Sequence, residues 1–167
     1  TYLCAGAITG GNIKIIDIVP EHIIPAMTKL EEAGCTIGIG ENSVELKAPK
    51  RLKPIDIKTM PYPGFPTDMQ SVFTAITTTA KGTSIIVENI FENRYKFVQE
   101  LARMGAKTTI EGRTAVVKGV RRLHGANVKA TDLRGGAAMV IGGLAAKGKT
   151  TVDEIKYILR GYEDFDK

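Results

Sequence analysis

The sequence repeats itself, and this constrains the fold more than any single motif does. Placing Pro20 to Lys47 over Phe91 to Lys118, a shift of 71 residues, sets Glu21 on Glu92, Leu30 on Leu101 and Gly34 on Gly105. Each glycine ends an amphipathic run, the usual position of a helix stop. Two short alternating segments follow in each copy. In the first they are Thr36 to Ile39 and Ser43 to Lys47 around Gly40-Glu41-Asn42; in the second, Lys107 to Ile110 and Thr114 to Lys118 around Glu111-Gly112-Arg113. Both predict hairpins. The same shift sets Gly11 on Gly82 and Ile15-Ile16-Asp17 on Ile86-Val87-Glu88, a further strand. A third copy follows at a shift of 66, with Lys81-Gly82 on Lys147-Gly148 and Arg94 on Arg160. Upstream, Ile57-Lys58-Thr59 is similar to Val128-Lys129-Ala130, and Thr67-Asp68 to Thr131-Asp132.

The unit reads strand, helix, strand, helix, strand, strand. It is partial over 1–50, complete over 51–120 with a longer loop at Met60 to Pro66, and partial over 121–167. Measured against the unit, both ends look cut, so the expectation is one domain of a longer protein. The two helix types differ. Glu92 to Met104 has a polar face and should lie on the surface. Met69 to Ala80 and Leu133 to Ala146 are almost free of charge, and helices without a polar face are buried. The predicted architecture is α/β, with helices inside, sheets outside and pseudo-threefold order.

Composition narrows the classes of function. A chain of 167 residues with 43% hydrophobic and 25% charged residues suits one globular domain. The longest weakly polar run, Gly135 to Ala146, is too short to span a bilayer, and no leader is evident, so no membrane and a cytoplasmic location are expected. Cys4 and Cys35 lie far apart, as do His22 and His124. These predict buried free thiols and neither a metal site nor a bound cofactor. The net charge of +5 is compatible with anionic ligands. The densest basic run, Lys47 to Lys53, carries no interleaved aromatics, and nucleic acid is not expected as a partner. That run reads as a solvated link between units.

The segment Pro63-Gly-Phe-Pro-Thr-Asp-Met-Gln70 is the most informative. Thr67 and Gln70 fit a capping box at the start of a buried helix. Asp68 then lies in the first turn, where the helix dipole favours a carboxylate. It either helps start the helix or serves as a general base beside a substrate hydroxyl; the same holds for Asp132. Arg94 and Arg160 occupy equivalent repeat positions just after a strand. Arg134 stands in the first turn of a nearly apolar helix, against the dipole, which calls for an anion beside it. The run Gly143 to Thr150 spells a phosphate-loop pattern, but a helix precedes it and a strand, Thr150 to Ile155, follows it. The reverse order is required, so it reads as a helix stop. Gly38 and Gly40 belong to a hairpin.

Gly64-Phe-Pro-Thr-Asp-Met-Gln70 closely resembles the UDP-N-acetylglucosamine branch of the enolpyruvyl transferase family. Glu88-Asn-Ile-Phe-Glu-Asn-Arg94, Leu101-Ala-Arg-Met-Gly105, Thr131-Asp-Leu-Arg134 and Arg160-Gly-Tyr-Glu163 agree with it in order along nearly the whole chain. The resemblance implies an inside-out α/β barrel. It implies phosphoenolpyruvate and UDP-N-acetylglucosamine as substrates, with transfer to the sugar 3'-hydroxyl in cell-wall peptidoglycan synthesis. By resemblance Asp68 takes the hydroxyl proton, Ile90 and Phe91 contact the nucleotide sugar, and Arg94, Arg134 and Arg160 hold carboxylate and phosphate. Asp132 lies beside the reacting centre, and Asp68 and Arg160 are the catalytic pair. The family's second domain carries a general-acid cysteine on a mobile loop, which neither Cys4 nor Cys35 matches. That domain is therefore an expected partner of this chain, and the chain alone is expected to be inactive. The sister transferase acting on shikimate 3-phosphate and a non-catalytic binding module are the competing readings.

Overall fold

The structure, a computed structural model, describes residues 1–163; positions 164–167 of the third unit lie outside the described residues. The first unit contains α1 (Tyr2–Thr9), β1 (Asn12–Ile16), α2 (Ile24–Glu32), β2 (Thr36–Ile39) and β3 (Ser43–Lys47). The second contains β4 (Ile57–Lys58), α3 (Gln70–Thr77), β5 (Thr83–Val87), α4 (Val98–Arg103), β6 (Lys107–Glu111) and β7 (Thr114–Lys118). The third contributes β8 (Leu123–His124), β9 (Asn127–Lys129), α5 (Leu133–Ala145), β10 (Ala146–Lys147) and β11 (Thr151–Asp153).

The repeat holds to the level of register. Ile13 pairs with Leu46 as Ser84 pairs with Val117, and Ile57 faces Ile86 as Val128 faces Val152. The second unit forms a sheet in the order β4-β5-β7-β6, with β4 parallel to β5 and the other pairings antiparallel. The first unit forms the corresponding β1-β3-β2 sheet. Gly34 and Gly105 both end helices with positive φ, 97° and 90°, a conformation that glycine adopts without a Cβ penalty.

The apolar helices α1, α3 and α5 pack on one another in the centre, with the sheets outside. Every residue of α3 is buried, including Gln70, Ser71, Thr74 and Thr77. Its threonines tolerate this by donating to carbonyls one turn back, Thr74 to Gln70 at 2.8 Å and Thr77 to Thr74 at 2.8 Å. Gly136 lets α5 approach closely: a Cβ there would lie 2.6 Å from Ile158 and 2.9 Å from Ala130. Between sheet and helices, α4 buries Val98 and Leu101, and Met104 just beyond it is also buried. No helix among the described residues is long and apolar enough to cross a membrane.

Four local expectations need correction. The helix expected over Glu92 to Met104 is confined to Val98–Arg103, because Asn93 takes a left-handed φ of 56° and residues 94–97 form turns. The strand expected over Thr150 to Ile155 spans only Thr151–Asp153, since Glu154 is left-handed at φ 62°. The capping box at Thr67 and Gln70 does not form: a 3-10 turn, Thr67–Met69, precedes α3, and no side chain caps it. The basic run is also more than a solvated link. Arg51 donates to Thr79 O at 2.8 Å, Ala80 O at 3.0 Å and Val120 O at 3.1 Å, tying the end of α3 to the junction of the units. The phosphate-loop look-alike is α5 running into β10 and a left-handed Gly148, as its element order required.

Candidate functional site

The site forms where the starts of α3 and α5 meet. Asp132 is the N-cap of α5: its Oδ1 accepts from the amides of Arg134 at 2.9 Å and Gly135 at 2.8 Å. This fixes the first turn and directs the Arg134 side chain toward α3. Arg134 Nε then meets Asp68 Oδ1 at 2.6 Å. The anion that the sequence demanded beside Arg134 is therefore Asp68, with Asp132 adding attraction at longer range. The Arg134 hydrogen bond holds the Asp68 carboxyl below the usual carboxylate range, partial burial opposes it, and the charges of Arg134 and Arg94 add to the lowering. Arg134 is correspondingly raised, first by the bond to Asp68.

Arg94 lies on the turn after β5, its guanidinium carbon 4.4 Å from the centre of the Phe91 ring. Arg94, Arg134 and Asp132 line one small cleft with Thr67, Gln70, Ser71 and Phe97. Inside it the Ser71 hydroxyl is buried without a hydrogen-bond partner among the described residues. Gln70 leans on the Tyr95 hydroxyl, which itself donates to Ile86 O at 2.8 Å, and among the described residues Gln70 Nε2 makes no well-formed hydrogen bond.

Ile90 and Phe91 are exposed, at 36% and 48%, yet their backbone is pinned. Both amides donate to Glu88 Oε1, at 2.8 and 3.1 Å. Glu88 itself is 1% exposed. Its Oε1 also accepts from the Thr59 hydroxyl at 2.9 Å, and its Oε2 from the Thr67 hydroxyl at 2.9 Å. Thr67 thus faces Glu88 instead of capping α3.

Asp68, Arg94, Asp132 and Arg134 are brought together, and Ile90 and Phe91 flank them. Arg160 is not brought in: it is exposed on the turn after Ile155–Tyr157 and shares no hydrogen bond or ion pair with the group among the described residues. Residues missed in the sequence are Glu88 as a structural hub and the buried polar pair Gln70 and Ser71. Their traces were a capping motif that fails, an acid at a strand end, and a place for Glu88 and Gln70 in the family-like segments.

Cys4 is fully buried on α1 and Cys35 is buried after α2. Burial pushes their thiols up to about 12 and about 11. Neither lines the cleft of Arg94, Asp132 and Arg134. A larger concavity lies elsewhere, in the groove between α2 and the β4–β5 edge, with Ile24, Pro25, Ile57 and Ile85 among its lining. It does not collect the paired charges of the α3–α5 cleft.

The family model described as EPSP synthase (3-phosphoshikimate 1-carboxyvinyltransferase) matches residues 1–167. The chain is 54% identical over its whole length to a UDP-N-acetylglucosamine 1-carboxyvinyltransferase of Desulfofundulus thermocisternus, of which it covers 69%. It is 49% identical, again over its whole length, to UDP-N-acetylglucosamine 1-carboxyvinyltransferase 3 of Symbiobacterium thermophilum, of which it spans 39%. Among solved structures, the enolpyruvyl transferase NikO from Streptomyces tendae superimposes with a TM-score of 0.88 at 26% identity, over 98% of this chain and 39% of that one. An EPSP synthase from Acinetobacter baumannii, 18% identical with a TM-score of 0.66 over 96% of this chain and 41% of that one, shares the fold.

Proposed function

Since the chain belongs to the enolpyruvyl transferase family, we propose that its full-length protein moves the enolpyruvyl group of phosphoenolpyruvate onto the 3'-hydroxyl of UDP-N-acetylglucosamine, a step of cytoplasmic peptidoglycan synthesis. The observation that carries this reading is the ion pair of Asp68 and Arg134, with Arg94 close enough to lower the same carboxylate. A fixed carboxylate beside two guanidinium groups suits a reaction that deprotonates an alcohol while gathering the negative charges of a carboxylate and a phosphate.

The chemistry assigns roles. Asp68 accepts the 3'-hydroxyl proton as the oxygen bonds to C2 of the donor and C3 gains a proton. Loss of phosphate, with a proton leaving C3, then restores the double bond. Arg94 and Arg134 bind the donor's anionic groups in bidentate fashion. Ile90 and Phe91 present a pinned backbone and an apolar edge to the nucleotide sugar, and Asp132 keeps Arg134 in place. Arg160 joins from its exposed turn when donor binds, and with Asp68 completes the catalytic pair. In the free protein Arg134 is spent on Asp68, which makes that carboxylate a weak base. Donor anions compete for Arg134, loosen the pair and raise the basicity of Asp68 when the reaction needs it.

This wall of the site is open, so a second domain of the full-length protein closes it, and residues 1–167 alone are expected not to turn over. The test is phosphate release by the full-length protein supplied with phosphoenolpyruvate and either UDP-N-acetylglucosamine or shikimate 3-phosphate. Release with the nucleotide sugar alone is expected. Release with shikimate 3-phosphate instead would move the chain to the sister reaction, and release with neither would leave a binding module.

A further inference from the structure

We infer that Glu88 is a positioning residue that locks the segment bearing Asp68 to the segment bearing Ile90, Phe91 and Arg94. The inference rests on the proposed reaction for its kinetic consequence but not for its geometry. Glu88 is a buried carboxylate with four donors around it, and the donors come from three separate stretches of chain. Thr59 closes β4, Thr67 directly precedes Asp68, and the Ile90 and Phe91 amides begin the turn that ends at Arg94. One side chain thus sets the distance between the proposed base and the proposed sugar-contacting edge. A carboxylate is suited to this, since its two oxygens can accept from several donors at once.

The repeat offers a comparison. The shifts of 71 and 66 that relate the units place Asp17 and Glu154 where Glu88 stands. All three acids directly follow a strand. Asp17 and Glu154 are exposed and turn the chain with left-handed φ of 58° and 62°. Glu154 pairs with nearby Lys156. In the second unit the acid itself is not left-handed and is buried. There the Glu88 amide donates to Arg113 O at 2.8 Å, whereas in the first unit the next residue, Ile18, donates to the equivalent Asn42 O at 3.2 Å. The first unit thus makes this corner bond with its acid exposed. Among the described residues, the acid is buried in the unit that carries Asp68 and the long loop, where Thr59 and Thr67 donate to it.

The experiment compares Glu88→Ala, Glu88→Gln and Glu154→Ala in the full-length protein. Steady-state kinetics with both proposed substrates and a carbon-13 titration of the Asp68 carboxyl are read on folded samples. Glu88→Ala is expected to lower kcat/KM about a hundredfold, the order set by small misplacement of reacting groups, and to shift the Asp68 titration. Glu88→Gln should recover most of this, within about fivefold of wild type, since its amide oxygen keeps the Thr59, Ile90 and Phe91 donors. Glu154→Ala should match wild type. If Glu88→Ala does not fold, Thr67→Val removes only the link on the Asp68 side, and kcat should fall about tenfold with little change in sugar KM. An unshifted Asp68 titration with kcat/KM within threefold of wild type in folded Glu88→Ala, or unchanged kcat in Thr67→Val, overturns the assignment. A wild-type protein that transfers no enolpyruvyl group while its Asp68 titration still responds to Glu88→Ala refutes the proposed reaction and leaves the positioning role standing.

Discussion

The same dipeptide opens two of the central helices and is used in opposite ways. At α5, Thr131-Asp132 behaves as local chemistry prescribes: Asp132 caps the first turn through two backbone amides. At α3, Thr67-Asp68 caps nothing. Thr67 turns to Glu88 and Asp68 to Arg134, and a 3-10 turn occupies the place of the cap. A capped helix end places its acid for stability; an uncapped one leaves the acid free for a partner across the cleft. The difference teaches which carboxylate to regard as a reagent. α3 tolerates the missing cap because all of its residues are buried among the other helices.

Breaking the contrast at its functional end should give the largest effect. Asp68→Asn in the full-length protein is expected to reduce kcat by about 10²- to 10⁴-fold, the range for loss of a general base, with little change in melting temperature. Turnover near wild type would sink the assignment. Arg134→Lys should cost about a hundredfold in kcat/KM, because an ammonium cannot reproduce the fork that meets Asp68 and an anionic donor.

Without its guanidinium partner, Asp68 should titrate closer to an ordinary carboxylate, upward from its depressed value, as carbon-13 chemical shifts would show. The sign for stability follows. A depressed folded value stabilises the protein above about pH 4, where the unfolded chain has also lost the proton, and this is lost as pH falls through the folded value. Asp68 is more than half exposed, so the contribution is small. Arg134→Gln should therefore flatten only the acid limb of a stability-against-pH curve. A curve unchanged below pH 4 would speak against the pair in solution.

At the structural end the effects are smaller and reversed. Asp132→Ala should destabilise by about 1 kcal/mol through loss of the cap, seen as a drop of roughly 2–4 °C in Tm for a chain of this size. Asp68→Ala should stay within about 0.5 kcal/mol of wild type. Equal losses in the two variants would erase the distinction between the helix starts. Smallest of all, Cys4 and Cys35 should resist thiol reagents at neutral pH until the protein unfolds, given values near 12 and 11. Prompt labelling of the native protein would show that the core is looser than described.

Periodicity alone determined the architecture. The shift of 71 residues predicted both hairpins, and the missing polar faces predicted the burial of the uncharged helices, because strand alternation and helix polarity are local and survive repetition. The helix dipole marked Arg134 as a cation in need of an anion. Tertiary structure decided what repetition cannot encode. Thr67 read as a cap and Asp132 as an acid at a helix start, yet Thr67 turns to Glu88 and Asp132 caps α5. Asp17, Glu88 and Glu154 are acids at one repeat position, and among the described residues the middle one is buried, where Thr59 and Thr67 donate to it. The helix expected from Glu92 begins at Val98 because the turn that carries Phe91 and Arg94 is held by that buried carboxylate. Hydrogen bonds between stretches about 20 to 30 residues apart override local propensity where their donors and acceptor are out of water, since leaving them unpaired there costs more than a lost cap or a shortened helix.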